Sequence, residues 1–236
     1  MNSGYRQPAA RGLSEKGFTL LEIMVAIFIF ALVLTTIFGS FRIVFSSADA
    51  VGTDVVVYAS ARNCVERISR DLASLQLTHY PRYAKPDFND PPDPYRLVGD
   101  TTDMAGESFG RLRFASLAHL PINRDVRQGV CRIVYYAHQR QDDVIVLRRA
   151  DHLYPFPDFE ESEDDPILCT NLIALEFGYV DAEGEVSDDW DSDSDNNDYA
   201  TPRAIEVRLT MGDPSRPSYF TTRVPLYVYR DAEEQS

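Results

Sequence analysis

The sequence predicts an α+β fold, with one long N-terminal helix packed on an antiparallel β domain. Three observations predict it. An uncharged run from Ile23 to Phe41 follows a basic leader. No proline interrupts the chain between Pro8 and Pro81, so that run can continue as helix. Beyond residue 110, stretches rich in β-branched and aromatic residues are separated by turn signals.

Residues 1–17 form the leader, in which Arg6, Arg11 and Lys16 stand against Glu15. The helix is expected over residues 18–78, with 18–41 crossing a membrane. A helix from Phe18 to Phe41 is roughly 36 Å long at about 1.5 Å per residue, enough for a hydrocarbon core of about 30 Å. A cleaved secretory signal has a shorter apolar core and a small-residue cut site after it. A plain anchor fits the length, and the basic leader would hold the N-terminus in the cytoplasm. Neither reading accounts for Glu22, a carboxylate that is costly at this depth without a partner. From Val51 the pattern becomes one-sided. Val55, Tyr58, Val65, Ile68, Leu72 and Leu75 make an apolar stripe, while Arg62, Glu66, Arg67, Arg70 and Asp71 fill the other face. Gly39 and Gly52 are the expected points of bending.

Residues 79–236 are expected to form the globular β domain. Its first part, 79–110, is dense in Pro, Gly and Asp and reads as a long loop. Candidate strands are 111–116, 130–138, 143–149, 172–180, 204–211 and 219–229. A hairpin should turn near Gln139–Asp142, and "GDPSRPS" should join the last two strands. Pro225 places the last strand at an edge or a bulge.

Composition narrows the function. The chain has 236 residues and a formal charge of −14, from 37 acidic and 23 basic residues, which disfavours nucleic acid as a partner. The acid gathers at 158–165 and 181–198. The three cysteines show no metal spacing. In an oxidising compartment Cys131 and Cys169 could pair and leave Cys64 free; three buried thiols are the other reading. The four histidines are scattered, and the chain holds neither HExxH, GxSxG nor a phosphate loop. No enzyme is expected.

The stretch "KGFTLLEIMVAIFIFALV" resembles the class III signal of type IV prepilins. In that family a membrane peptidase cuts after the glycine and methylates the new N-terminal phenylalanine. The resemblance implies cleavage after Gly17, an N-methylated Phe18, and an assembly role for Glu22. It also implies a single-pass protein of the bacterial inner membrane, with its N-terminus cytoplasmic and its β domain periplasmic. The layout beyond the helix is similar to the minor pseudopilin J family of type II secretion systems. The residues that carry this are Tyr179, Asp181, Gly184, Trp190 and the strand from Pro202 to Leu209. The implied function is a minor pseudopilin near the tip of the periplasmic pseudopilus, helping to initiate its assembly. The implied partners are the I and K minor pseudopilins, the major pseudopilin and the prepilin peptidase. A minor pilin of a type IV pilus, used in adhesion, motility or uptake, is the alternative.

The insert "DSDSDNND" departs from that family by its length and acidity. Asp191, Asp193 and Asp195 alternate as hard ligands do in a calcium loop. Asn196 and Pro202 stand where an EF-hand needs its glycine and closing glutamate. A calcium loop of another kind and a solvated acidic loop both fit; no other cofactor is expected.

Overall fold

The computed structural model describes residues 19–87, 90–121 and 127–232, with side chains described outside 39–54. Helix α1 (Leu20–Ala73) is 54 residues long. The chain divides into two compact units, Met1–Gly52 and Thr53–Ser236.

In the first unit the helix is apolar on all sides from Leu20 to Phe38, and none of that span is buried. Its two threonines satisfy their own hydroxyls: Thr35 donates to the carbonyl of Leu32 and Thr36 to that of Val33, each at 2.8 Å. An exposed polar group inside such a span is tolerable only when it is paired in this way. The helical assignment runs through Gly39 and Gly52. The bends expected there fall among side chains outside the described ones.

The second unit packs the end of α1 against two antiparallel sheets. The strands are β1 (Leu75–Gln76), β2 (Val98–Met104), β3 (Glu107–Ser116), β4 (Cys131–Gln139), β5 (Ile145–Leu153), β6 (Ile167–Thr170), β7 (Leu172–Val180), β8 (Val186–Ser187), β9 (Trp190–Asp191), β10 (Ala204–Asp213) and β11 (Arg216–Pro225). One sheet has the order β6-β5-β4-β3-β2-β9, with β1 also paired to β3. The other has the order β11-β10-β7-β8. Both expected hairpins are present, β4–β5 closing at Gln139↔Ile145 and β10–β11 at Asp213↔Arg216. Strand β11 lies at an edge and ends at Pro225, where a missing N–H costs the ladder nothing.

One continuous core joins α1 to both sheets. Two glycines let the sheets come together. A Cβ on Gly99 would overlap the ring of Tyr179, and one on Gly110 would meet Phe177 at 2.9 Å and the backbone oxygen of Leu175 at 3.2 Å.

Five expectations are corrected. Helix α1 ends at Ala73, short of the expected 78, with Leu75 in β1, and its buried stripe is Ala61, Cys64, Ile68 and Leu72, whereas Val55 and Tyr58 are exposed. Small Ala and Cys carry little apolar signal in the sequence, yet they allow the helix to lie close to the sheet. Asp71, assigned to the polar face, is fully buried. The expected loop 79–110 contains β2, a polar strand exposed on alternate residues and hydrogen-bonded to β3 and β9. Lastly, Cys64 pairs with Cys169, and Cys131 is the buried free thiol. The Cα atoms of Cys64 and Cys169 are 6.2 Å apart, within the range a bridge needs. Cys131 and Cys169 cannot meet. Along β5, Cys131 stands beside Leu153 and Cys169 beside Leu147, a separation of about 20 Å at about 3.3 Å per residue.

Candidate assembly site and buried polar clusters

The start of α1 is built by the sequence Thr19-Leu20-Leu21-Glu22. The backbone N–H of Glu22 donates to the Thr19 hydroxyl at 3.3 Å, and the N–H of Thr19 donates to Glu22 Oε2 at 3.3 Å. This reciprocal pair is a capping box, and it satisfies backbone donors that a helix start leaves open. Glu22 therefore has a local role even in a single chain. Its side chain lies on an exposed helix among exposed Leu20, Leu21 and Ile23, with room for an outside partner. Lys16, Gly17 and Phe18 lie outside the described residues.

Residues 13–38 match the prokaryotic N-terminal methylation motif. Over those residues the chain is type IV prepilin-like. It has the N-terminal motif of pilins and pseudopilins, followed by their α+β arrangement, and such proteins are generally structural and not enzymatic. The motif implies processing by prepilin peptidase and assembly with pilins. Leu20–Phe38 has the length and composition of a single membrane span. No curated protein matches the chain.

The globular unit holds two buried polar clusters that no sequence period announces. In the first, Asp71 of α1 accepts from Arg149 Nε at 2.6 Å and from the Tyr135 hydroxyl, and it forms an ion pair with Arg67. Arg149 is fully buried, and its Nη1 reaches Asp151 at 2.7 Å while Nη2 donates to the carbonyl of Ala118 at 2.9 Å. Burial works against the Arg149 charge, but the Asp71 and Asp151 carboxylates outweigh it and raise its pKa. Burial and Asp71 together hold the Tyr135 phenol well above its ordinary value. The cluster thus fixes the last turns of α1 to the centre of the larger sheet.

Beside it, His119, Cys131 and Asp151 bring ligand-type atoms within 4.8 Å of one another, the one such trio among the described residues. His119 Nδ1 lies 2.8 Å from Asp151 Oδ1. Burial and then Asp151 push the Cys131 thiol up to about 12. A thiol binds metal as thiolate, and Asp151 is already shared with Arg149, so the trio behaves as hydrogen-bonded core.

The second cluster surrounds the acidic insert. Asp191, Asp193 and Asp195 do not converge on a common point. Asp191 pairs with Arg96 at 2.8 Å; Asp193 accepts from the Tyr83 hydroxyl at 2.5 Å and the N–H of Asp93 at 2.9 Å; Asp195 opens a short 3-10 turn, 195–197. Arg230 closes the cluster. It donates to the carbonyls of Tyr199 at 2.7 Å and Thr78 at 3.0 Å and to that of Ser192, and it covers the Tyr83 ring at 3.4 Å. Trp190 Nε1 donates to the carbonyl of Ala200 at 3.1 Å. The insert is therefore partly structural, its inner carboxylates bonded to the chain and its outer ones solvated.

Proposed function

We propose that the chain is a minor pseudopilin of a type II secretion system, placed near the tip of the periplasmic pseudopilus and active in starting its assembly. The observation that carries the reading is Glu22 at the head of an unburied apolar helix, five residues after Gly17, within a matched methylation motif. The basic leader holds the precursor with its N-terminus in the cytoplasm and residues 79–236 in the periplasm. Prepilin peptidase removes residues 1–17 and methylates Phe18. The helix then leaves the bilayer sideways into a bundle of similar helices. Glu22 of the incoming subunit neutralises the Phe18 ammonium of a neighbour, and two charges that are costly alone become tolerable as a pair. The order of features beyond the helix supports the J type, with the I and K minor pseudopilins and the major pseudopilin as neighbours. The β7–β8 hairpin, Trp190 and then β10 follow one another along the chain, where the sequence resembles that family.

Three measurements test this. Mass spectrometry of the native protein should find a methylated Phe18 at its N-terminus; an intact Met1 leader would overturn the processing. Glu22→Ala should be cut and inserted normally yet fail to enter the pseudopilus, and secretion should stop. Deletion of the gene should block protein secretion and leave surface pili intact. Lost pili with normal secretion would move the chain to the type IV pilus instead.

A further inference from the structure

We infer that the cavity beside the end of β1 is a docking site for an extended, proline-rich peptide segment that carries a carboxylate. The cavity measures about 490 Å³, within the range of small-ligand sites, and Leu77, His79, Tyr80, Arg82, Tyr95 and Val130 line it. Its two aromatic walls are already held in place. Tyr80 is 42 % exposed, and its ring meets that of Tyr83 edge-on at 5.5 Å. Tyr83 is itself fixed by its bond to Asp193 and by Arg230 over its ring. The N–H of Tyr95 donates to Asp93 at 3.0 Å. Its ring lies nearly parallel to that of Tyr154 at 6.5 Å and edge-on to Phe156 at 6.0 Å. Rings held in this way lose little freedom when a ligand packs on them.

The other lining groups define the ligand. Among the described residues no carboxylate lines the cavity, in a chain of formal charge −14. Arg82 is exposed, and its side chain has no ion-pair partner among the described residues. The lining thus offers donors, from Arg82, His79 and the two tyrosine hydroxyls, with no ionised acceptor among them. A sugar binds best where carboxylates accept from its hydroxyls. A polyproline segment brings the opposite chemistry: its carbonyls are acceptors free of internal hydrogen bonds, and proline has no N–H to satisfy. Such segments dock in aromatic-lined grooves. Leu77 and Val130 add apolar contact. The Arg82 guanidinium selects a carboxylate on the segment over an ammonium.

The test uses the full chain, isotopically labelled, in phosphocholine detergent micelles at constant ionic strength. The probe is the peptide acetyl-Pro-Pro-Asp-Pro-Pro-amide. A counterpart with lysine in place of aspartate, a counterpart with alanine in place of proline, and maltose are titrated separately. The backbone amides of His79 and Arg82 are followed by NMR. Saturable shifts are expected with the probe, and no saturation with maltose. The lysine counterpart should bind about threefold more weakly, as an exposed charge contact allows. Tyr80→Leu and Tyr95→Leu each remove an aromatic wall and should weaken binding by about three- to tenfold. Arg82→Gln should leave the proline peptides bound and make the aspartate and lysine forms equal. Shifts that never saturate, equal binding of the alanine counterpart, saturation by maltose alone, unchanged midpoints in both tyrosine variants, or an aspartate preference that survives Arg82→Gln would each overturn the proposal.

Discussion

Asp71 follows Arg67 and Arg70 in a stretch that reads as the wet face of a helix, yet it is fully buried. What makes this tolerable is Arg149, 78 residues further along the chain. The pair joins two charges that neither the core nor water would leave alone. Arg149→Met should destabilise the protein by about 3–5 kcal/mol, because it leaves Asp71 buried beside a more exposed Arg67. Adding Asp71→Leu should recover much of that loss, since two apolar side chains need no partner. Chemical denaturation of the single and double variants measures both. Asp151 makes a prediction about acid. Burial raises its pKa, but the Leu120 N–H, Arg149 and His119 outweigh burial and bring it below the ordinary carboxylate value. A group with a lowered folded pKa stabilises fully above its unfolded value, about 3.9, and that stability fades as pH falls through the folded one. Melting temperature should therefore drop more steeply below about pH 4 in the native protein than in Asp151→Asn. Equal slopes would remove Asp151 from the acid response.

Elements with a strong local pattern were legible and those made by distant pairing were not. The helix, six of the strands and both hairpins follow from apolar runs, β-branched residues and turn chemistry within short windows. The motif Gly17-Phe18 with Glu22 is equally local, so it could be read without a fold. Strand β2 was missed because "VGDTTDM" is polar and exists through its hydrogen bonds to β3. The bridge was misassigned because spacing along the chain says nothing about which strand end a cysteine occupies. Arg149 and Arg230 resemble surface arginines until their partners are placed. For the acidic insert, the geometry predicts structure without calcium. Added Ca²⁺ should leave the melting temperature unchanged; a rise that Asp193→Asn abolishes would restore the calcium reading. Removing Arg230 is the change that should loosen this element. Arg230→Ala should make the 3-10 turn, 195–197, exchange its amides faster while the β4–β5 hairpin stays protected. Uniform exchange across both would show that the insert is not held separately.

At the scale of the whole molecule, the bridge and the free thiol make the fold depend on its compartment. The unfolded but unreduced chain should show one reactive thiol, Cys131, and the reduced chain three. The folded chain should show none, because Cys131 is buried and its pKa is raised to about 12. Thiol titration in the three states settles the pairing. Loss of the bridge in Cys64→Ser should cost about 2–4 kcal/mol, the usual worth of a native disulfide. The protein should then accumulate best where thiols are oxidised. The charge of −14 acts differently, favouring solubility and repelling other acidic surfaces.

The same bridge has a mechanical consequence. It ties α1 to β6, the outermost strand of the larger sheet, across a separation of 105 residues. A pull applied along α1 would reach that strand through a covalent bond as well as through the packed stripe of the helix. The early resistance would then come from the β5–β6 ladder and from the Asp71–Arg149 pair acting side by side. A subunit under load would share it between the sheet's rim, through the bridge, and the sheet's centre, through the Asp71–Arg149 pair.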